Sequence, residues 1–290
     1  MDLDALRTLI TLSELKNFTK TAGQQHIVQS TVTSRIKMLE KELGQELFRR
    51  TRQHVELTDA GRLLLPYARS LLDLEQSAKD DLKNLGTFPY LLRVASVYTI
   101  YDCFMEPWIK RYRELRPDVA LKLFLGDSSQ VMRQFHEKTA DICYTYAPFS
   151  NSRVECIPFR KDDLILVASP QLNSYPQGIS QSQISRLPLL FTGFLADSAP
   201  DWFNSLFPEC CGFPLSCNVG GKLLPFLVDG LGYAFLPRAV VQAELTAGLL
   251  MEIPLLDSTL PQLINYILVR KKSREADAVA CWLAMAPDFQ

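Results

Sequence analysis

The stretch that decides the fold spans residues 17–50 and reads NFTKTAGQQHIVQSTVTSRIKMLEKELGQELFRR. A short run of small and polar residues, 19–25, is followed by a turn at residues 26–28 and by a longer amphipathic run that ends before Gly44. In the longer run Val32, Ile36 and Leu39 repeat at helical spacing, and the positions between them carry amides, hydroxyls and cations. A helix that is apolar on one side and polar on the other can pack on a core and enter a DNA major groove. The stretch therefore predicts a helix–turn–helix that binds DNA.

Positive charge is concentrated around this stretch. The 290-residue chain has a formal net charge of −1, yet residues 16–54 contain eight lysines and arginines and three glutamates. Such a local basic patch binds phosphates by releasing condensed counterions. The chain is long enough for two or three domains, and its 47% hydrophobic and 22% charged residues are typical of folded globular proteins.

Residues 1–58 are predicted to form a winged helix domain. Leu3, Leu6, Leu9 and Ile10 mark a first helix, Thr19 is expected to cap the second, and residues 49–56 suit an arginine-rich hairpin. Residues 59–89 are predicted to be a linker, with a long helix capped by Thr58 and a break at residues 86–89. Its apolar seam is favoured as a dimerisation face over packing on its own chain. The seam consists of Leu64, Ala68, Leu71, Ala78, Leu82 and Leu85.

Residues 90–290 are predicted to form an α/β domain. Strand and helix patterns alternate, first over residues 91–146 and again from about residue 164, as expected for parallel sheets. This predicts two lobes, one at about 90–165 plus 266–290 and the other at about 166–265.

The chain resembles the LysR-type transcriptional regulators over almost its full length. The resemblance is carried by residues 18–22, 29–40, 43–44, 47–50 and 57–61, and further on by residues 117–142 and the Gly230–Gly232 to Pro237 segment. The family implies an N-terminal all-α winged helix-turn-helix domain, a linker helix for dimerisation and a two-lobed periplasmic-binding-protein-like effector domain. It also implies a homodimer or homotetramer on double-stranded promoter DNA, in contact with RNA polymerase. Two positions depart from the family pattern: Val28 replaces a serine before the recognition helix, and Gln25 replaces a leucine.

Family position and side-chain chemistry together predict the DNA contacts. Gln29 can pair with adenine, and the methyl of Thr31 or Thr33 can touch thymine. Cations suit phosphates, and Arg52 suits a narrowed minor groove. The alternative for Arg35, Lys37 and Lys41 is a solvated helix face paired with Glu40 and Glu42. The predicted set comprises Gln29, Ser30, Thr31, Thr33, Ser34, Arg35, Lys37, Arg49, Arg50 and Arg52.

Hydroxyl-bearing residues follow the strands of both lobes, where ligands of two-lobed α/β proteins bind. Hydroxyls and helix amides suit a carboxylate or another small anion, although Asp127 opposes one, and helix capping is the alternative role. The predicted effector site comprises Ser96, Tyr98, Thr99, Asp127, Ser128, Ser129, Tyr146, Thr192 and Gly193.

Other functions have weaker sequence support. Three histidines and the absence of nucleophile-elbow, metalloprotease and phosphate-loop motifs argue against an enzyme, and no cofactor or metal is expected. Cys210, Cys211 and Cys217 leave open a thiol-based redox sensor, but no cation lies beside them in sequence to lower a thiol pKa. Without a secretion signal or a membrane-spanning run, we expect a cytoplasmic protein that does not enter membranes.

Overall fold

The computed structural model divides the chain into two compact units, Met1–Gly86 and Thr87–Gln290. It describes residues 1–50, 55–84, 87–172, 174–193, 195, 198–207 and 212–285. The predicted wing residue Arg52 and the cysteines Cys210 and Cys211 lie outside the described residues, as does the side chain of Arg50.

The N-terminal unit has four helices and one small hairpin among its described residues. The helices are α1 (Leu3–Leu15), α2 (Phe18–Gln24), α3 (Gln29–Leu43) and α4 (Asp59–Asn84). Strands β1 (Phe48–Arg50) and β2 (Val55–Leu57) pair antiparallel. A single apolar core joins Leu6, Leu9 and Leu12 of α1 to Val32, Ile36 and Leu39 of α3. This is the predicted helix–turn–helix with a hairpin behind it.

The ends of these helices follow from local chemistry. Asn17, and not Thr19 as expected, caps α2: its side chain accepts the amide of Lys20 at 2.9 Å, because the helix begins one residue earlier. Gly44 ends α3 with φ +67°, a conformation that costs little without a Cβ. Thr58 caps α4 by accepting the amide of Gly61 at 3.0 Å.

Helix α4 has two apolar faces, which the sequence interpretation had merged into one seam. Leu64, Ala68 and Leu72 pack on the core of the unit, so the first two do not belong to an exposed seam. Salt bridges from Arg69 to Glu14 (2.9 Å) and from Arg7 to Glu75 also join α4 to α1. The exposed stripe follows a neighbouring line of the helix and consists of Leu63, Tyr67, Leu71, Leu74, Ala78 and Leu82. Leu85 lies outside the described residues.

The C-terminal unit is built on a seven-stranded mixed sheet with a small two-stranded sheet beside it. The strands are β3 (Tyr90–Val97), β4 (Val119–Gly126), β5 (Ile142–Thr145), β6 (Val154–Ala168), β7 (Leu190–Phe191), β8 (Leu215–Ser216), β9 (Tyr233–Pro237), β10 (Met251–Glu252) and β11 (Gln262–Arg270). The helices are α5 (Glu106–Leu115), α6 (Ser128–His136), α7 (Gln181–Ile184), α8 (Pro200–Leu206), α9 (Leu224–Val228), α10 (Arg238–Thr246), α11 (Lys271–Arg274) and α12 (Asp277–Ala284). A turn at Tyr98–Ile100 and a π-helical turn at Tyr101–Met105 precede α5, and a 3-10 turn at Gly220–Leu223 precedes α9.

Two long strands connect the two lobes. The whole of β11 pairs with residues 154–163 of β6, beside the parallel strands β3, β4 and β5. Residues 164–168 of β6 pair with β9 and β10. The expected parallel pairing is found among β3, β4 and β5, whereas β6 pairs antiparallel with β9, β10 and β11. Of β6, only the part from residue 164 onward was predicted as strand, because the charged residues 160–163 interrupt the apolar pattern.

Candidate DNA-binding surface and effector cleft

The outer face of α3 carries most of the polar residues predicted to meet DNA. At about 100° of rotation per residue, Gln29, Ser30, Thr33, Ser34 and Lys37 fall within an arc of about 140°. Ser30, Ser34 and Lys37 are exposed, as is Gln29, whose Oε1 accepts the Thr19 hydroxyl at 3.3 Å. Val32, Ile36 and Leu39 occupy the opposite side and are buried. The helix therefore presents one continuous polar surface while its other side holds the core.

Thr31 and Arg35 lie on a different flank of α3, toward α1. The Arg35 Nη2 donates to Oδ2 of Asp4 at 2.6 Å, and its Nη1 lies 3.4 Å from the Thr8 hydroxyl. Thr8 in turn donates to Oε1 of Gln25 at 2.9 Å, and Gln25 Nε2 donates to Thr11 at 3.1 Å. The glutamine that departs from the family pattern is thus satisfied by α1. Arg35 is directed into this polar network and not toward the face that carries Lys37.

The glutamates expected to pair with helix cations bind elsewhere. Oε1 of Glu40 accepts the amides of Leu47 (2.9 Å) and Phe48 (3.3 Å), which fixes the start of the hairpin on α3. Glu42 pairs with the N-terminal amine at 2.6 Å. Arg49 follows on β1 and is exposed. Lys37 and Arg49 therefore keep their charge on the surface beside the polar face of α3.

Val28 precedes α3 without a side-chain cap, and 66% of its surface is exposed. The helix nevertheless begins at Gln29, because the Val28 carbonyl accepts the amides of Thr31 (3.0 Å) and Val32 (3.4 Å). The departure from serine thus removes a side-chain cap but does not prevent the helix from beginning at Gln29.

In the C-terminal unit, one cavity of about 270 Å³ joins residues from both lobes. Seven of the nine predicted effector residues line it: Tyr98, Thr99, Asp127, Ser128, Ser129, Tyr146 and Gly193. They come together because the loops after β3, β4, β5 and β7 open into the same space. We call this cavity the cleft.

Ser96 and Thr192 are not among the residues that line the cleft. Both are buried, and the Ser96 hydroxyl is 3.1 Å from the carbonyl of Val97. Residues 94–97 of β3 are all buried, so Ser96 lies within the lobe whichever face it is on, whereas Tyr98 and Thr99 lie beyond the strand end. Asn218, which the sequence interpretation missed, lines the cleft from the loop after β8.

Asp127 is the charged member of the cleft among its described lining residues. Its Oδ1 accepts the amide of Gln130 at 2.9 Å and the hydroxyl of Ser129 at 2.7 Å, and so caps α6. Burial alone would raise the pKa of Asp127, but these hydrogen bonds outweigh it and hold the pKa below its usual value. The carboxylate is therefore ionised and already occupies the helix N-terminus.

The described parts of the chain contain neither a reactive cysteine pair nor a cluster of metal ligands. Cys217 is half-buried and unbridged, and burial raises the pKa of the Cys103 thiol to about 12. No grouping of His, Cys, Asp and Glu suited to a metal ion occurs among the described residues. Within the same residues, the helices are too short or too polar to cross a bilayer.

Comparisons with known proteins agree with this architecture. Residues 3–62 match the model of the bacterial regulatory helix-turn-helix protein, lysR family, and residues 88–289 match that of the LysR substrate binding domain. The chain is 29% identical to the HTH-type transcriptional regulator CitR of Bacillus subtilis (strain 168) over 268 residues, covering 90% of this chain and 91% of CitR.

Two solved structures share the fold over nearly the whole chain. Full-length CbnR complexed with its target DNA superposes with a TM-score of 0.69 at 17% identity, covering 99% of both chains. The Vibrio cholerae virulence activator AphB gives a TM-score of 0.56 at 21% identity, covering 99% of this chain and 98% of AphB. The chain belongs to the LysR family of transcriptional regulators, with a DNA-binding helix-turn-helix and an effector-binding domain.

Proposed function

We propose that this regulator reads promoter DNA through one face of α3 and adjusts its activity to a small polar effector held in the cleft. The observation that carries the proposal is that seven predicted residues from four separate loops surround one cavity. Residues that serve only to cap helices would not need to share one space. In this proposal the DNA-binding domain comprises residues 1–58, the linker comprises residues 59–89, and the effector-binding domain comprises residues 90–290.

For base reading we favour Gln29, Ser30, Thr33 and Ser34, which share the exposed face of α3. Gln29 needs both its Oε1 and its Nε2 to pair with adenine, and the Thr19 hydroxyl holds its Oε1 in the free protein. Lys37, on that face, and Arg49, on β1, are exposed and suit phosphates. Arg35 is better explained as the residue that orients α3 on α1, since its guanidinium is engaged by Asp4.

For assembly we propose that the exposed stripe of α4 pairs with the same stripe of a second chain. A helix with an apolar stripe of this length is stabilised by burying it against a partner helix. A dimer would present two copies of α3 to half-sites about 34 Å apart or a multiple of it. Pairing of two dimers into a homotetramer would bend the intervening DNA and set the contact with RNA polymerase.

The effector proposed here is neutral or zwitterionic. The described lining offers hydroxyls, tyrosines and an amide, together with the Asp127 carboxylate, and no lysine or arginine. An anion would meet the Asp127 charge without a compensating cation, whereas an ammonium group would be stabilised by it. An effector that binds one arrangement of the two lobes more tightly than another would shift the equilibrium between them. The size of the shift would equal the difference between the two binding free energies.

DNA reading is tested by fluorescence anisotropy with the promoter upstream of the chain's own gene. Gln29→Ala with Thr33→Ala should abolish discrimination between this promoter and scrambled DNA while circular dichroism stays unchanged. Lys122→Ala, on the other unit, is the control and should bind as the wild type does. Equal affinity of the wild type for promoter and scrambled DNA, at several salt concentrations, would contradict the proposal.

Effector binding is tested by a thermal-shift screen of amino acids, polyols and carboxylates on the full chain. A hit should lose its shift in Thr99→Val and Ser128→Ala, which remove lining hydroxyls, and keep it in Ser182→Ala, which removes an exposed hydroxyl elsewhere. A hit that is indifferent to Thr99 and Ser128 would place the sensor outside the cleft.

A further inference from the structure

The first lobe carries a cluster of positive charge at the end that lies away from the cleft. Helix α6 begins at the cleft, where Ser128 and Ser129 line the cavity, and the cluster lies at its other end. Three segments meet there: residues 137–138 after α6, residues 153–155 at the start of β6, and residues 270–275 around α11. Together they contain six lysines and arginines and three glutamates. The sequence interpretation did not single out this region.

Hydrogen bonds hold the three segments together. The Lys271 amide donates to the carbonyl of Arg153 at 3.0 Å, which joins the second segment to the third. Nη1 of Arg270 donates to the carbonyl of Ala140 at 2.8 Å, and so ties the turn that contains Lys138 to the end of β11. The positive charges are therefore carried by one surface of the folded lobe and not by a loose tail.

Four of these cations are exposed and have no carboxylate within ion-pair distance among the described residues. The exposed Arg274, by contrast, is paired with Glu155. Because Glu155 is occupied, Glu137 and Glu275 are the carboxylates of the three segments that remain to balance the four cations. A surplus of positive charge is therefore left on this surface. We call the four cations the lobe patch: Lys138, Arg153, Lys271 and Lys272.

The surroundings of the lobe patch favour a nucleic-acid partner over a protein. Among the described residues of 116–225 and 257–285, no large apolar side chain is exposed. A protein interface has an apolar, aromatic-rich centre and is depleted in lysine, whereas a phosphate backbone requires only cations. The chain also carries a DNA-binding helix-turn-helix. A second contact on the same duplex would be intramolecular, so even a weak one would add to the affinity.

We propose that the lobe patch is a second DNA contact, which binds the phosphate backbone of a duplex whose bases are read by α3 of the same chain or of another chain in the oligomer. Cations on phosphates position a duplex without reading its sequence. The effector-binding domain would then hold DNA directly, in addition to sensing the effector. This inference rests on the proposed function, because it takes the duplex to be the one that α3 reads.

The contact is tested by fluorescence anisotropy of the full chain on the promoter upstream of its own gene, at four salt concentrations. Arg153→Gln with Lys271→Gln and Lys272→Gln should reduce the slope of log K against log salt concentration by about 2 to 3, because each phosphate contact contributes about 0.9. The ratio of the affinities for promoter and scrambled DNA should stay unchanged, since phosphate contacts carry no sequence information.

The matched control removes three exposed cations that are scattered over the same domain, with the same change in net charge. It combines Lys110→Gln, Arg186→Gln and Lys222→Gln. Because these positions do not form one surface, the control should keep the slope of the wild type.

Each outcome decides for or against the lobe patch. An unchanged slope in the patch variant, or an equal reduction in the control, would overturn the proposal. An unchanged slope together with weaker transcription by RNA polymerase would assign the patch to a protein partner and would also overturn it. If the patch variant does not fold by circular dichroism, Lys138→Gln with Lys272→Gln decides in its place, and its slope should fall by about 1 to 2. A wild type that binds promoter and scrambled DNA equally would contradict the proposed function alone, because the slopes of the variants can still be compared on either DNA.

Discussion

Arg35 of the recognition helix donates to Asp4 of α1, with 2.6 Å between Nη2 and Oδ2. The cation sits on the helix proposed to read DNA, yet its partner lies inside the same domain. This pair joins α1 to α3 beside the hydrogen bonds among Thr8, Thr11 and Gln25. Arg35 therefore orients α3 within the domain, whereas Lys37 and Arg49 are exposed and can contact phosphate.

The first prediction concerns this separation. Lys37→Ala should reduce the slope of log K against log salt concentration by about 0.9, because one phosphate contact is lost. Arg35→Ala should leave that slope unchanged and should weaken the domain by about 1 kcal/mol, as expected for a half-exposed ion pair. Anisotropy titrations at four salt concentrations measure both slopes. A reduced slope in Arg35→Ala would show that the Asp4 pair opens on DNA.

The second prediction concerns the uncapped start of α3. Val28→Ser should stabilise the helix by about 1 kcal/mol, because a serine hydroxyl can accept a free amide of the first turn. In hydrogen–deuterium exchange of the full chain, the amides of α3 should then exchange about fivefold more slowly. Val28→Ala removes the same apolar group without adding a cap and is the control. Equal exchange in the two variants would refute a capping effect.

The third prediction concerns the exposed stripe of α4. Leu74→Glu should weaken self-association roughly 100-fold or more, because an interface that buries an unpaired carboxylate loses several kcal/mol. Sedimentation velocity across a concentration series measures the shift toward monomer. Gln76→Glu places the same residue on the opposite, polar side of α4 and should have little effect. If Leu74→Glu associates as the wild type does, the stripe is not the interface.

The fourth prediction concerns pH. Burial raises the pKa of Asp162 to about 6, although the amides of Ala239 and Asp163 oppose the shift by donating to the carboxylate. The folded chain therefore binds a proton at Asp162 more tightly than the unfolded chain does, because the pKa of Asp162 in the unfolded chain is near 3.8. Its destabilising charge is fully present above pH 6 and disappears as the pH falls toward 3.8.

Asp162→Asn should accordingly stabilise the C-terminal unit by about 1 kcal/mol at pH 7.5, a value reduced for partial solvent screening, and by much less at pH 4.5. The difference in melting temperature between variant and wild type, measured at both pH values, tests this. Asp229→Asn, at an exposed position whose charge does not contribute to the shift of Asp162, is the control. A stabilisation that is equal at the two pH values would contradict the burial argument.

The sequence predicted most accurately what depends on neighbouring residues. Helix α3 and its end at Gly44 were predicted because apolar spacing and a terminal glycine are local signals. The hydroxyls of the cleft were predicted because loops after strands can be located from strand patterns. Distant partners were not predicted: Gln25 is satisfied by Thr8 and Thr11 of another helix, and Leu64 turns out to face α1.

Other errors came from patterns that were weak or misleading. Asn218 follows a strand of two residues, too short to show alternation, and was missed as a cleft residue. Ser96 was assigned to the cleft because it lies near the end of β3, but both faces of the strand are buried there and Ser96 is covered by the lobe.

The strands β6 and β11 pass from one lobe to the other as a continuous hydrogen-bonded ribbon, with an irregularity between Asn265 and Tyr266. Any movement of one lobe relative to the other must therefore bend or twist this pair of strands. The lobes cannot rotate freely about a single hinge. In the proposed binding of an effector between the lobes, this pairing would resist large rotations. The connection therefore favours small changes in the angle between the lobes.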